Sequence, residues 1–88
     1  MKIKEGLMLR KVKDQNIILS YDQSLVKLNG MISVNDTGAF IFGELQNEIS
    51  FDDLLNKMIE KYNEKKEIIE KDLNDFLNAL RSNNLLDE

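Results

Sequence analysis

The spacing of hydrophobic and polar positions changes character once along this chain, near Asn35. Before that point the apolar residues alternate with polar ones or run in short bursts, the pattern of strands. Leu7, Leu9 and Val12 stand among polar neighbours over residues 6–13, which predicts a first strand. Asp14-Gln15-Asn16 reads as a turn, and Ile17-Ile18-Leu19-Ser20-Tyr21 as a second, antiparallel strand. Asp22-Gln23-Ser24 is a further turn, Leu25-Val26-Lys27-Leu28 alternates, and Asn29-Gly30 is the strongest short hairpin signal in the chain. Met31-Ile32-Ser33-Val34 follows as a short strand. Residues 25–28 and 31–34 then form a small hairpin, or only the second joins the sheet and the first is an irregular approach.

After Asn35 the period becomes helical. Asn35 is placed to cap a first helix by accepting from the backbone of Thr37 or Gly38. That helix carries Ala39-Phe40-Ile41-Phe42 and Leu45, and ends near Gln46, with core as the expected place of Phe40 and Phe42. Ser50 caps the next, with Asp53 three residues on in a variant of the capping box. Phe51, Leu54, Leu55, Met58, Ile59 and Tyr62 recur at three- and four-residue spacing, predicting an amphipathic helix to about Tyr62. A polar connection over 63–66 leads to a third helix from about Lys66 to Ser82, whose stripe is Ile69, Leu73, Phe76, Leu77 and Leu80. Asn83-Asn84 is its stop, and Leu85-Leu86 returns apolar surface to the core.

The expected class is therefore α+β and winged-helix-like: a three-stranded antiparallel sheet followed by a three-helix bundle. At 88 residues this is one domain, with a β part over 1–34 and a helical part over 35–88. So small a scaffold offers a face or an edge more readily than a deep catalytic pocket. The chain has no cysteine and no histidine, which removes thiolate nucleophiles, Ser-His-Asp catalysis and the commonest metal ligands. No catalytic residue, metal or cofactor is expected. Asp52-Asp53 and Glu60 with Glu64 lack calcium-loop spacing and read as helix surface. No apolar run is long enough for a signal peptide or a membrane span, so the expected location is the cytoplasm and no membrane partner is expected.

Charge narrows the partners. The net formal charge is −4, but residues 1–34 carry six basic and three acidic side chains, whereas residues 50–88 carry six basic and ten acidic ones. Lysines outnumber arginines ten to two. Both features count against phosphate recognition, so no nucleic-acid partner is expected. The N-terminal lysines read as a solvated strand face.

Several short motifs stand in a consistent order: Gly6-Leu7-x-Leu9-Arg10, then Val34-Asn35-x-Thr37-Gly38-x-x-Ile41, then Ser50-Phe51-x-x-Leu54, then Asp72-Leu73-x-x-Phe76-Leu77-x-x-Leu80, and finally Asn84-Leu85-Leu86. Together they resemble the coenzyme PQQ biosynthesis protein D (PqqD) family, also called RiPP recognition elements, over nearly the whole chain. The resemblance implies a non-catalytic peptide-binding adaptor. Such a module binds the leader of a ribosomally made precursor peptide as an added strand and presents it to a modifying enzyme, often a radical SAM protein. The chain departs from the family pattern in an apparent insertion at 22–29 and in lacking the usual proline near that junction.

The implied docking edge is Met31, Ile32, Ser33 and Val34, because this strand abuts Asn35, with residues 25–28 as the alternative. The opposing wall is the flank of the third helix, where Asp72, Asp75, Phe76 and Ala79 share one side with Ile68 and Asn83. Ala79 leaves room for a guest side chain, and the two acids suit a basic leader. Each also has a plain structural role: Phe76 as core, the acids as solvated groups near a helix start. Two other functions remain open from the residues: a winged-helix DNA-binding protein, and a small homo-oligomeric domain, most simply a homodimer, whose edge strand pairs with a second copy.

Overall fold

The structure is a computed structural model and describes residues 1–20 and 31–88. In chain order its elements are strands β1 (Lys2–Ile3), β2 (Leu7–Val12), β3 (Gln15–Ser20) and β4 (Met31–Val34), helices α1 (Asp36–Glu44), α2 (Phe51–Lys61) and α3 (Lys66–Ser82), and strand β5 (Leu86–Asp87). The class is α+β, with three antiparallel strands ahead of three helices, as the hydrophobic pattern predicts. The strand end at Tyr21, the turn at 22–24, the segment 25–28, the Asn29-Gly30 turn and the apparent insertion at 22–29 lie outside the described residues.

The main sheet is ordered β2-β3-β4. Its register pairs Leu9 with Ile18 and Arg10 with Ile17, then Ile18 with Ile32 and Ile17 with Ser33. Successive side chains alternate between faces. Leu7, Leu9, Ile18, Ile32 and Val34 join or border the core, while Met8, Arg10, Val12, Ile17, Leu19 and Ser33 take the opposite face.

The β2–β3 turn differs from expectation. It is Lys13-Asp14, not Asp14-Gln15-Asn16, and Lys13 adopts φ 57°. Asn16 instead lies within β3, only 7% exposed, where its Nδ2 donates to Asp36 Oδ1 at 2.8 Å. A residue type that favours turns is held in the strand because its amide has a partner at the start of α1.

The helices begin where their caps put them. The Gly38 amide donates to Asn35 Oδ1 at 2.8 Å, and the Asp53 amide to Ser50 Oγ at 3.1 Å. Ile41, Phe42 and Leu45, then Leu54, Leu55 and Met58, then Ile69, Leu73, Leu77 and Leu80 close a single core under the sheet. Phe40 is only half-buried, and its ring meets Tyr62 edge-on, with centroids 6.0 Å apart. Phe76, expected in the core stripe, is half-buried at the edge of the core.

Helix α3 ends in a Schellman arrangement. Asn84 takes the left-handed conformation at φ 59°, the Leu85 amide donates to Leu80 O at 2.9 Å, and the Asn84 amide donates to Arg81 O at 3.0 Å. This reversal turns Leu85 and Leu86 into the core and lays β5 antiparallel to β1, pairing Ile3 with Leu86. The β1–β5 ladder has no counterpart in the hydrophobic pattern. Bonds from the Ile3 amide to Leu45 O and from the Lys4 amide to Leu85 O, each 2.9 Å, tie it to the helices. Replacing Asn84 with alanine should cost up to about 1–2 kcal/mol, because alanine lacks the short polar side chain that lets asparagine tolerate the left-handed region. Asn84→Gly should preserve the cap, and chemical denaturation of the two variants measures the difference.

Candidate functional site: the furrow between β4 and α3

Strand β4 is an edge of the main sheet among the described residues. An edge strand carries backbone N–H and C=O groups without ladder partners along its outer side. Helix α3 runs alongside, and a hollow of about 240 Å³ opens between them. Ile32, Ser33 and Val34 line it on the strand side, Phe76, Ala79, Leu80 and Asn83 on the helix side, with Ile18 also reaching it. A second hollow, of about 390 Å³, continues past Phe76 and Ala79 toward the start of α1, and Asn35, Thr37, Gly38, Asp72 and Asp75 border it.

The site residues expected from the sequence thus come together. Ile32, Ser33, Val34, Phe76 and Ala79 border the first hollow, and Asp72 and Asp75 join Phe76 and Ala79 around the second. Met31 opens β4 as the Cα partner of Leu19. Asn35, Thr37 and Gly38 border the furrow too, although the sequence marked them only as a helix start and a motif. The signal that was available is the glycine. Gly38 sits inside a helix, where glycine is unfavourable, and at this position something needs the space.

That something is the Phe76 ring. A Cβ at position 38 would lie 2.8 Å from Phe76 Cε1 and 3.1 Å from Val34 Cβ. The ring therefore packs directly on the backbone of α1, between the end of β4 and the body of α3. It divides the two hollows and holds the strand and the helix at their separation.

Charge is concentrated at the far end. Asp75 accepts from Lys71 Nζ at 2.9 Å, one turn away on the same helix. The hydrogen bond to Asp75 and its negative charge raise the Lys71 pKa above the usual lysine value. Both side chains are well exposed, so the pair adds little to stability. Asp72 forms no ion pair among the described residues, which leaves its carboxylate as the available negative charge beside the second hollow. No helix is long and apolar enough to cross a membrane among the described residues.

The model of the family of coenzyme PQQ synthesis protein D (PqqD) matches residues 15–86. The chain belongs to the PqqD family. No curated protein matches the chain. Among solved structures, TbiB1 in complex with the TbiA(beta) leader peptide is similar, with a TM-score of 0.75 and 22% identity, covering 99% of this chain and 95% of that one. Lasso peptide synthetase B1 complexed with the leader peptide is also similar, with a TM-score of 0.71 and 17% identity, covering 96% of this chain and 93% of the other. At these identities the likeness is one of fold.

Two glycine substitutions in the same helix should have opposite effects. Gly43 has open space where a Cβ would go, so Gly43→Ala should stabilise the domain by about 0.5–1 kcal/mol. Gly38→Ala should instead lower stability by about 1–3 kcal/mol and displace the Phe76 ring into the furrow. Thermal unfolding, together with the ring resonances of Phe76, reads both effects.

Proposed function

We propose that this member of the PqqD family is a leader-peptide adaptor. It captures the leader of a ribosomally made precursor as a strand added to the outer edge of β4, and it presents the rest of the precursor to a modifying enzyme, in this family often a radical SAM protein. The observation that carries this reading is the position of β4 at the sheet's edge among the described residues, beside the 240 Å³ hollow against α3. The leader-peptide complexes formed by the two structurally similar proteins support it.

The mode of recognition follows from sheet geometry. A guest strand bonds through its main chain, which supplies affinity with little sequence demand. Its side chains alternate, so every second one turns toward α3. The apolar hollow between Ile32, Val34, Phe76 and Ala79 accepts an aliphatic or aromatic group there. The small, exposed Ala79 leaves that space free. Asp72 and Asp75 favour a basic residue beyond the strand-forming stretch. In this reading the chain contributes no catalytic group, and chemistry belongs to the enzyme. It works in the cytoplasm, where ribosomal precursors are made.

Titration of isotope-labelled protein with the leaders of precursors encoded near its gene tests the proposal by NMR. One leader should bind and shift resonances along Met31–Val34 and on α3 at Phe76 and Ala79. Ala79→Trp should fill the hollow and weaken that binding by about tenfold or more, a loss of ~1.4 kcal/mol, while thermal stability is maintained. Shifts confined to surfaces away from β4, or undiminished binding by Ala79→Trp, would overturn the proposed site.

A further inference from the structure

The furrow does not end where β4 ends. Val34 and the Phe76 ring meet over Gly38, so the strand stops beside the middle of α3, at the start of α1. The 390 Å³ hollow carries on from that point, and Thr37 and Asp72 on its border also border a third hollow, of about 240 Å³. This third hollow lies at the connection between α2 and α3. Met58 and Ile69 are buried beneath it, and Tyr62 and Ile68 flank them. Ile68 is 45% exposed, one of the most exposed large apolar side chains among the described residues. The three hollows thus follow one another along one flank of α3, from Asn83 back to Ile68.

The rim of the third hollow is acidic. Glu64 and Asp72 stand exposed on its border, and neither forms an ion pair among the described residues. The lysines nearby in sequence do not neutralise it. Lys61 Nζ stands over the Phe40 ring, 5.1 Å from its centroid, and Lys65 and Lys66 do not border the hollow. An apolar base beneath two carboxylates fits a side chain with a long apolar stem and a cationic head, which is lysine or arginine. The stem lies on Ile68 and Tyr62 while the head meets Glu64 and Asp72. A purely aliphatic guest suits the hollow beside β4 better, since Ile32, Val34 and Phe76 line that one.

We propose that the hollow between Tyr62, Glu64, Ile68 and Asp72 is a second specificity site for the leader, and that it takes a lysine or arginine lying beyond the strand-forming stretch. The inference rests on the adaptor reading above and adds a second anchor with its spacing. A leader laid along β4 and continued past Val34 crosses the start of α1 and reaches this hollow without leaving the flank of α3. Ile68 and Ala79 are eleven residues apart on that helix, about 16 Å along its axis at ~1.5 Å per residue. An extended chain covers that distance in about five residues, at ~3.3 Å each. The leader this protein selects therefore carries an apolar residue for the first hollow and a basic one about five positions away. Neither anchor alone meets both sites, so the spacing itself discriminates between leaders.

The test uses the full chain and the leaders of precursors encoded near its gene. Wild type and Glu64→Lys are titrated with the leader that binds, and with copies of it in which each lysine or arginine in turn is replaced by glutamine. Position 64 is exposed and lies between helices, and the NMR spectrum of the variant confirms its fold. The leader should shift resonances of Tyr62 and Ile68 together with those of β4. Glu64→Lys should bind it about tenfold more weakly, with a smaller difference at high salt and with the β4 shifts retained at saturation. One glutamine replacement, about five residues from the apolar anchor, should weaken binding to wild type by a similar factor and cost little more in Glu64→Lys, the mark of a direct pair. Shifts on β4 without shifts at Tyr62 and Ile68, equal affinity of the two proteins, or coupling of Glu64 to no basic residue of the leader each overturns the second site while leaving the adaptor reading in place. Failure of wild type to bind any leader strikes the adaptor reading, and this inference with it.

Discussion

The contact of the Phe76 ring with the bare backbone of Gly38 is the constraint on which the rest of the site depends. It joins three elements at one point: the end of β4 through Val34, the first turn of α1, and the middle of α3. The ring spaces β4 from α3 and so defines a furrow between them. A side chain at position 38 would push the ring outward, and a smaller residue at 76 would let the helix approach the strand. The Asn16–Asp36 hydrogen bond fixes the same corner from the sheet side, holding the start of α1 against β3. The corner is thus determined from the sheet and from α3 independently.

A domain of 88 residues has little interior to spend on a binding pocket. The fold manages recognition without one. Among the described residues it places a sheet edge beside a small apolar hollow, and in the proposed reading the main-chain groups of that edge supply affinity and the hollow supplies selectivity. The absence of histidine and cysteine is in keeping with such a task, since strand addition needs no titrating or metal-binding group. The two edges of the sheet differ in character: β4 faces an apolar cleft, while β2 carries cations around exposed aliphatic groups.

Much of this was legible in the sequence, for physical reasons. Helices α2 and α3 showed themselves because their stripes are long enough for a 3.6-residue period to repeat, and α1 because Asn35 caps a continuous apolar run. The flank of α3 follows from helical geometry, which sets Asp72, Asp75, Phe76 and Ala79 on one side of the helix. Features that depend on partners distant in sequence were less visible. Asn16 looked like a turn residue because its stabilising partner, Asp36, stands twenty residues away. Lys13 gave no turn signal, since lysine rarely takes positive φ. The β1–β5 ladder is two residues long on each side and joins segments from opposite ends of the sequence, so no periodicity reports it.

That short ladder has an architectural consequence. Because Lys2–Ile3 and Leu86–Asp87 lie side by side, the chain passes into and out of the folded body through neighbouring strands, spaced by one interstrand distance of about 4.8 Å. A unit with adjacent portals can be spliced into a surface loop of a larger protein with little distortion of its host, just as it can stand as a free-standing piece. The same two strands that close the fold therefore make it transplantable, and they give evolution or a designer a ready seam along which to fuse recognition to catalysis.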